Sequence, residues 1–210
     1  MRSVSSCCFY CLFYLCKNIS DCGSLTLPAT TLADSCYSSM FSDCYSLTKA
    51  PALSATTLAS GCYSNMFSSC WSLTKAPVLQ ATTLADGCYS GMFSGCYSLT
   101  QAPALPATTL ASYCYNYMFS DCSSLTQAPE IKNYTPNLYA YEEMLTDSLG
   151  KLTICTWSDL TISEAESMIL NEAIFGYGNP GDSVRINITC KDGSGVAYFD
   201  SEKYSWVFEY

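Results

Sequence analysis

Fifteen cysteines in 210 residues are the side chains here most able to do chemistry. Eight of them fall in two registers, Cys36, Cys62, Cys88, Cys114 and Cys44, Cys70, Cys96, Cys122, each with a 26-residue step. Thiols at fixed spacing can pair as a staircase of disulfides, ligate a metal as thiolates, or pack unreacted as small apolar side chains. The total is odd, so complete internal pairing is impossible. Both registers share the four-residue rhythm of Leu58, Cys62, Met66 and Cys70, which favours a ladder of buried thiols. Zinc has weak support: only Cys8-Phe9-Tyr10-Cys11 has a Cys-x-x-Cys spacing, and the chain has no histidine.

The missing histidine also removes the commonest general base. Serine is abundant but has no imidazole to activate it. No glycine-rich phosphate loop occurs. The paired acids Glu142-Glu143 and Glu164/Glu166 read as solvated faces. The expectation is a protein that is not an enzyme, with no catalytic residues, no metal ligands and no cofactor.

The elements that position these side chains follow from self-comparison. Met-Phe recurs at 40–41, 66–67, 92–93 and 118–119, inside a unit A-T-T-L-A-x-x-C-Y-x-x-M-F-S-x-C-x-S-L-T-x-A-P-x-L. The flanks hold decayed copies. Asp21-Cys22-Gly23-Ser24-Leu25-Thr26 reads as a match to Asp43-Cys44-Tyr45-Ser46-Leu47-Thr48, followed by a four-residue deletion. Tyr141 to Asp147 falls in the Met-Phe register. The array therefore spans about residues 9–156. One unit offers about five large apolar side chains, on the order of 10 kcal/mol if fully buried. Ordering its backbone costs about 1–2 kcal/mol per residue. A unit cannot fold alone, so the copies must stack and share one core.

Within the unit, the four-residue stripe predicts a short helix starting at Thr31-Leu32-Ala33-Asp34 and at Thr83-Leu84-Ala85-Asp86, stopped by Gly95. The half from Ser46 to Leu53 is extended, since Pro51 forbids a helix interior. Leu47, Ala50 and either Ala52 or Leu53 point inward; Glu130, in the column of Ala52, favours Leu53. The Cys- and Tyr-rich run from Cys7 to Cys16 could be an export signal, but no small-x-small cleavage site follows, and it reads better as a degenerate first repeat.

The string Met-Phe-Ser-x-Cys-x-Ser-Leu-Thr resembles the leucine-rich-repeat surface proteins of the BspA type over about residues 20–156. The resemblance implies an α/β repeat fold, a leucine-rich-repeat-like right-handed solenoid. It also implies adhesion and host contact, on a bacterial surface, secreted, or carried by a phage. The 26-residue period departs from the family's usual 23, as does the lack of Ile-Pro after the strand.

Residues 157–210 read differently, as a small α+β unit that serves either as a cap over the last open coil or as an independent binding module. Ser163-Glu164-Ala165-Glu166 is a capping box opening a helix that ends near Gly176. Gly178-Asn179-Pro180-Gly181-Asp182 is a turn, and Val184, Ile186, Ile188 and Cys190 alternate as a half-buried strand. Lys191 to Gly195 is a hairpin loop, followed by strands around Val196–Phe199 and Tyr204–Tyr210.

Charge bounds the partners. Net charge is −9, with −2 on residues 1–130 and −7 beyond. An acidic chain without a basic cluster does not suit nucleic acid or an anionic membrane surface. No apolar run of 18 residues exists, so no membrane insertion is expected. The positions that drift between copies point to the working face. Position 45 reads Tyr45, Trp71, Tyr97, Ser123, and position 49 reads Lys49, Lys75, Gln101, Gln127. Stacking turns these into columns suited to a protein or glycan ligand. Tyr45, Trp71, Tyr97, Lys49, Lys75, Gln101 and Gln127 are the candidate ligand-binding residues. A structural part of a phage particle or cell envelope is the competing reading; oligomeric state stays open.

Overall fold

The computed structural model describes residues 4–148, 151–176 and 184–210. The repeat copies stack in register. The predicted helix is absent from every copy. In its place runs a series of four-residue turns, with a left-handed residue at every fourth position: Ser35, Ser39 and Asp43, then Gly61, Asn65 and Ser69, then Gly87, Gly91 and Gly95. The four-residue rhythm is therefore a turn rhythm. Even-numbered amides from Cys36 to Cys44 bond locally to the carbonyl three residues back, for instance Met40 N–H to Tyr37 at 3.2 Å. The intervening amides cross to the next copy: Ser35 to Ser60, Tyr37 to Cys62, Ser39 to Ser64, Phe41 to Met66 and Asp43 to Ser68, at 2.8–2.9 Å. Local and crossing bonds together use every amide of residues 35–44, so the turn pattern satisfies a buried backbone as completely as a helix would.

Side chains follow the same rule of like above like. Phe9, Tyr37, Tyr63, Tyr89, Tyr115 and Tyr141 form one internal column with ring centroids 5.4–5.9 Å apart. Phe13, Phe41, Phe67, Phe93 and Phe119 form a second at 5.2–5.7 Å. From Tyr37 and Phe41 onward both columns are buried. The second half of each copy is extended but barely laddered. Thr26–Leu27 (β1) and Ala52–Leu53 (β2) pair in parallel, and single parallel bridges join Asp21 to Lys49, Thr31 to Thr57 and Thr83 to Thr109. Leu47 and Leu53 point inward and Ala52 outward, the register that Glu130 favoured.

The first copy is aligned differently from the sequence expectation. Phe9 stacks on Tyr37 and Phe13 on Phe41, so Cys7 to Cys16 is the true equivalent of Ser35 to Cys44. Asp21-Cys22 pairs alongside Lys49 rather than Cys44. A local likeness of Asp-Cys-Gly-Ser-Leu-Thr had masked a first copy two residues longer than the rest. At the other end Met144 and Leu145 sit buried in the predicted register.

The C-terminal unit is a four-stranded sheet in the order β3-β4-β5-β6 with one helix. Its elements are β3 (Ile154–Trp157), α1 (Ile162–Asn171), β4 (Arg185–Cys190), β5 (Gly193–Asp200) and β6 (Ser205–Glu209). β3 and β4 are parallel; the rest are antiparallel. The helix starts two residues earlier than expected. Thr161 is its N-cap, accepting from the Glu164 amide while the Glu164 carboxylate accepts from Thr161 N–H. It ends at Asn171, not near Gly176. Ile186, Ile188 and Cys190 are buried as the alternation required. The β4–β5 connection is tighter than the expected loop, with Cys190 facing Gly193 across Lys191-Asp192. On β6 Trp206 and Phe208 are buried, whereas Tyr204 and Tyr210, flanking the strand, are exposed. The expected turn at 178–182 lies outside the described residues.

Candidate binding face and the thiol ladder

The interior thiols are held as structural groups. Each member of the second register donates to the carbonyl of the phenylalanine one copy back: Cys44 to Phe13, Cys70 to Phe41, Cys96 to Phe67 and Cys122 to Phe93, at 3.1–3.2 Å. Each also receives the amide of the preceding copy's cysteine. A small donor-acceptor is thus required where two turns meet. Ser148 fills the same slot after Cys122, accepting from the Cys122 amide at 2.9 Å and donating to the Phe119 carbonyl. Burial pushes Cys36 and Cys44 up to about 11 and Cys62, Cys114 and Cys122 up to about 12. A thiol that holds its proton at neutral pH is a poor nucleophile and a poor metal ligand. No described cysteine is joined in a disulfide, and the eight repeat thiols are all buried. Among the described residues, no group of three or more potential ligand side chains could hold a metal ion.

The outer columns are where the sequence placed them. Tyr45 and Trp71 stack at 4.0 Å and 20°, and Trp71 meets Tyr97 at 6.0 Å and 40°. Trp71 and Tyr97 are each 45% exposed. The ammonium of Lys17 sits 5.3 Å from the centre of the Tyr45 ring, a contact sequence reading missed because it rests on the corrected first-copy register. Ring faces are therefore largely spent on one another, and the column offers its edges to a ligand. Tyr97 is the exception, since the next member is Ser123. Position 52 also faces out, and Val78 is 72% exposed.

Lys49, Lys75, Gln101 and Gln127 are all exposed, but they do not act as one strip. Lys49 is held by Asp21 at 2.8 Å, an exposed pair open to screening by salt. That bond, with the Gly23 amide, lowers the Asp21 carboxyl. Gln101 and Gln127 instead share a groove of about 260 Å³ with Pro103, Pro129, Thr126 and Glu130. The groove has a backbone cause. Proline has no N–H to give to a ladder, and no backbone hydrogen bond joins residues 101–105 to residues 127–131 among the described residues. The repeated proline that signalled an extended segment also opens the gap in which two carboxamides sit.

A third exposed set went unread: Tyr113 stacks on Tyr139 at 5.7 Å, both at left-handed turn positions. The signal was present, as tyrosine replaces Gly87 in this column.

No helix among the described residues is long and apolar enough to cross a membrane. No protein-family model, curated protein or solved structure matches the chain.

Proposed function

We propose that this protein is a non-enzymatic binding protein that presents one face of a repeat stack to a protein or glycan ligand. In this reading the stack is a right-handed solenoid of the leucine-rich-repeat class, with the C-terminal helix and sheet as its cap. The supporting observation is the outward column Tyr45, Trp71, Tyr97, held rigid by ring contacts at 4.0 and 6.0 Å, beside the Gln101/Gln127 groove. Preorganised aromatics lose little rotamer entropy on binding, which is why they recur as energetic anchors. The BspA-type resemblance fits adhesion at a cell surface, in secreted form or on a phage particle. A structural role in a phage particle or cell envelope is the alternative, in which the ligand is an assembly partner.

A glycan array and a pull-down with the purified chain test the reading. Trp71→Ala should weaken any captured ligand by about 1–2 kcal/mol or more. Because Trp71 also stacks on Tyr45 and meets Tyr97, the variant should lower stability by about 1–3 kcal/mol. Undiminished binding by both Trp71→Ala and a Gln101→Ala/Gln127→Ala double variant would remove this face from the function. Small-angle scattering from a compact sphere would remove the solenoid.

A further inference from the structure

A column of exposed tyrosines stops in the middle of the stack, and the place where it stops is a ledge. Ser35, Gly61, Gly87, Tyr113 and Tyr139 occupy one left-handed turn position, with φ between 50° and 58°. The same turn is thus built with serine, glycine or tyrosine, so the backbone does not call for a ring here. Yet Tyr113 and Tyr139 stand out from the surface, 46% and 42% exposed. Tyr139 covers one face of Tyr113, at 5.7 Å and 12°. The other face looks along the column toward Gly87. That layer adjoins directly, since Gly87 N–H donates to the Ser112 carbonyl at 2.9 Å. A Cβ on Gly87 would meet nothing within 4 Å. Among the described residues, Tyr139 is the one ring partner of Tyr113.

The ledge has a charged edge. Asp86, next to Gly87, is exposed, and its carboxylate accepts the Ser112 N–H at 3.1 Å. That bond anchors the negative charge beside the residue that precedes Tyr113. Little offsets it: the sequence has no lysine or arginine between Lys75 and Lys132. Lys132 is itself engaged, by Glu130 at 2.5 Å and Asp159 at 2.9 Å.

An open ring face, an empty slot in the column and a fixed carboxylate together select a flat cation. A guanidinium is planar, stacks on an aromatic ring, and donates N–H groups to a carboxylate in the same plane. A lysine ammonium brings the charge without the flat face. An apolar ring leaves the carboxylate unused. A sugar ring stacks too, but as a neutral group it gains nothing from the uncompensated negative field. We propose that this ledge is a docking site for an arginine side chain of a partner polypeptide, seated over Gly87 against Tyr113 and paired with Asp86. The site goes beyond the Trp71 face and uses none of its residues.

The test uses fluorescein-labelled nona-arginine and nona-lysine peptides, with fluorescence anisotropy reading their binding to the full chain. Gly87→Tyr fills the slot with the residue that the same turn carries at 113 and 139. Tyr113→Gly removes the platform and installs the residue found at 61 and 87. Neither variant alters net charge, so general attraction of a basic peptide to an acidic chain is held constant. Each should weaken nona-arginine binding about tenfold. Asp86→Asn should weaken it as well, whereas Trp71→Ala should leave it unchanged. Nona-lysine should bind more weakly than nona-arginine and respond little to Gly87→Tyr. Unchanged nona-arginine binding in both Gly87→Tyr and Tyr113→Gly would overturn the proposal. An equal loss for nona-lysine would overturn it too, since a point charge would then suffice. So would a glycan-array signal abolished by Gly87→Tyr while nona-arginine binding persists, because the ledge would then hold a sugar.

Discussion

The repeat stack and the C-terminal sheet solve one problem in two ways. Both must satisfy a buried backbone. The sheet does it with strands, where each edge carries donors and acceptors, and with a helix whose first amides are held by Thr161 and Glu164. Its side chains are all different, so its register is set by alternation and by single residues. The stack does it with turns whose crossing backbone bonds run one way, and its side chains are columns of like on like. The difference teaches where specificity resides. In the stack, the left-handed turn positions and the repeated ring set the register. In the sheet, the identity of each neighbour does.

The sharpest way to break the stack is to remove one ring from its middle. Phe67 is fully buried between Phe41 and Phe93. Phe67→Ala should cost about 3–5 kcal/mol, measured by denaturant unfolding. The glycines separate the two regions next. A Cβ on Gly195, in β5, would lie 2.6 Å from the Glu209 carbonyl oxygen, which is backbone and cannot swing away. Gly195→Ala should therefore destabilise by about 2–3 kcal/mol. Gly87 has φ +58° and nothing within 4 Å of such a Cβ. Gly87→Ala should cost only the left-handed conformation, about 1 kcal/mol. Equal losses at the two sites would contradict the contrast.

The junction between the regions titrates. Burial, opposed by the Tyr141 amide and aided by the Glu142 charge, raises the Glu172 carboxyl from 4.5 to about 6. The folded form then binds this proton more tightly than the unfolded one. Stability should fall as pH rises from 4.5 to about 6, by about 2 kcal/mol, and be level above that. Glu172→Gln, which keeps an acceptor for Tyr141, should flatten that slope in melts across the same range. The smallest effect is expected in the thiol ladder. Since Ser148 already serves the slot of Cys122, Cys70→Ser should keep the bond to the Phe41 carbonyl and cost about 1 kcal/mol or less. Cys70→Ala, which leaves that carbonyl without this partner, should cost more.

Much of this was legible because repetition converts composition into geometry. The period, the inward Leu47 and Leu53, the buried thiols and the outward Tyr45, Trp71 and Tyr97 all follow from asking which slots drift. The helix was misread because a four-residue apolar step is common to a helix face and to stacked turns. Gly87, Gly91 and Gly95 held the distinction: each would cost a helix about 1 kcal/mol, yet each suits a left-handed turn position. The first copy was misaligned because Asp21-Cys22-Gly23-Ser24-Leu25-Thr26 resembles the repeat locally, whereas register is decided by Phe9 and Phe13 reaching their ring partners. The Gln101/Gln127 groove depended on which hydrogen bonds two prolines fail to make, and that appears only once the copies are laid side by side.

A one-way ladder has a consequence for how such a chain can change. Every internal layer presents a donor edge on one side and an acceptor edge on the other, and so does its neighbour. Excising or duplicating 26 residues at any phase within the near-identical copies joins a donor edge to an acceptor edge again, with ring on ring and thiol on thiol. Slippage or unequal recombination between the four copies would thus yield products whose junctions are already complementary. The number of layers becomes a quantity that selection can adjust in whole steps, lengthening or shortening the outer columns without redesigning the core or either end.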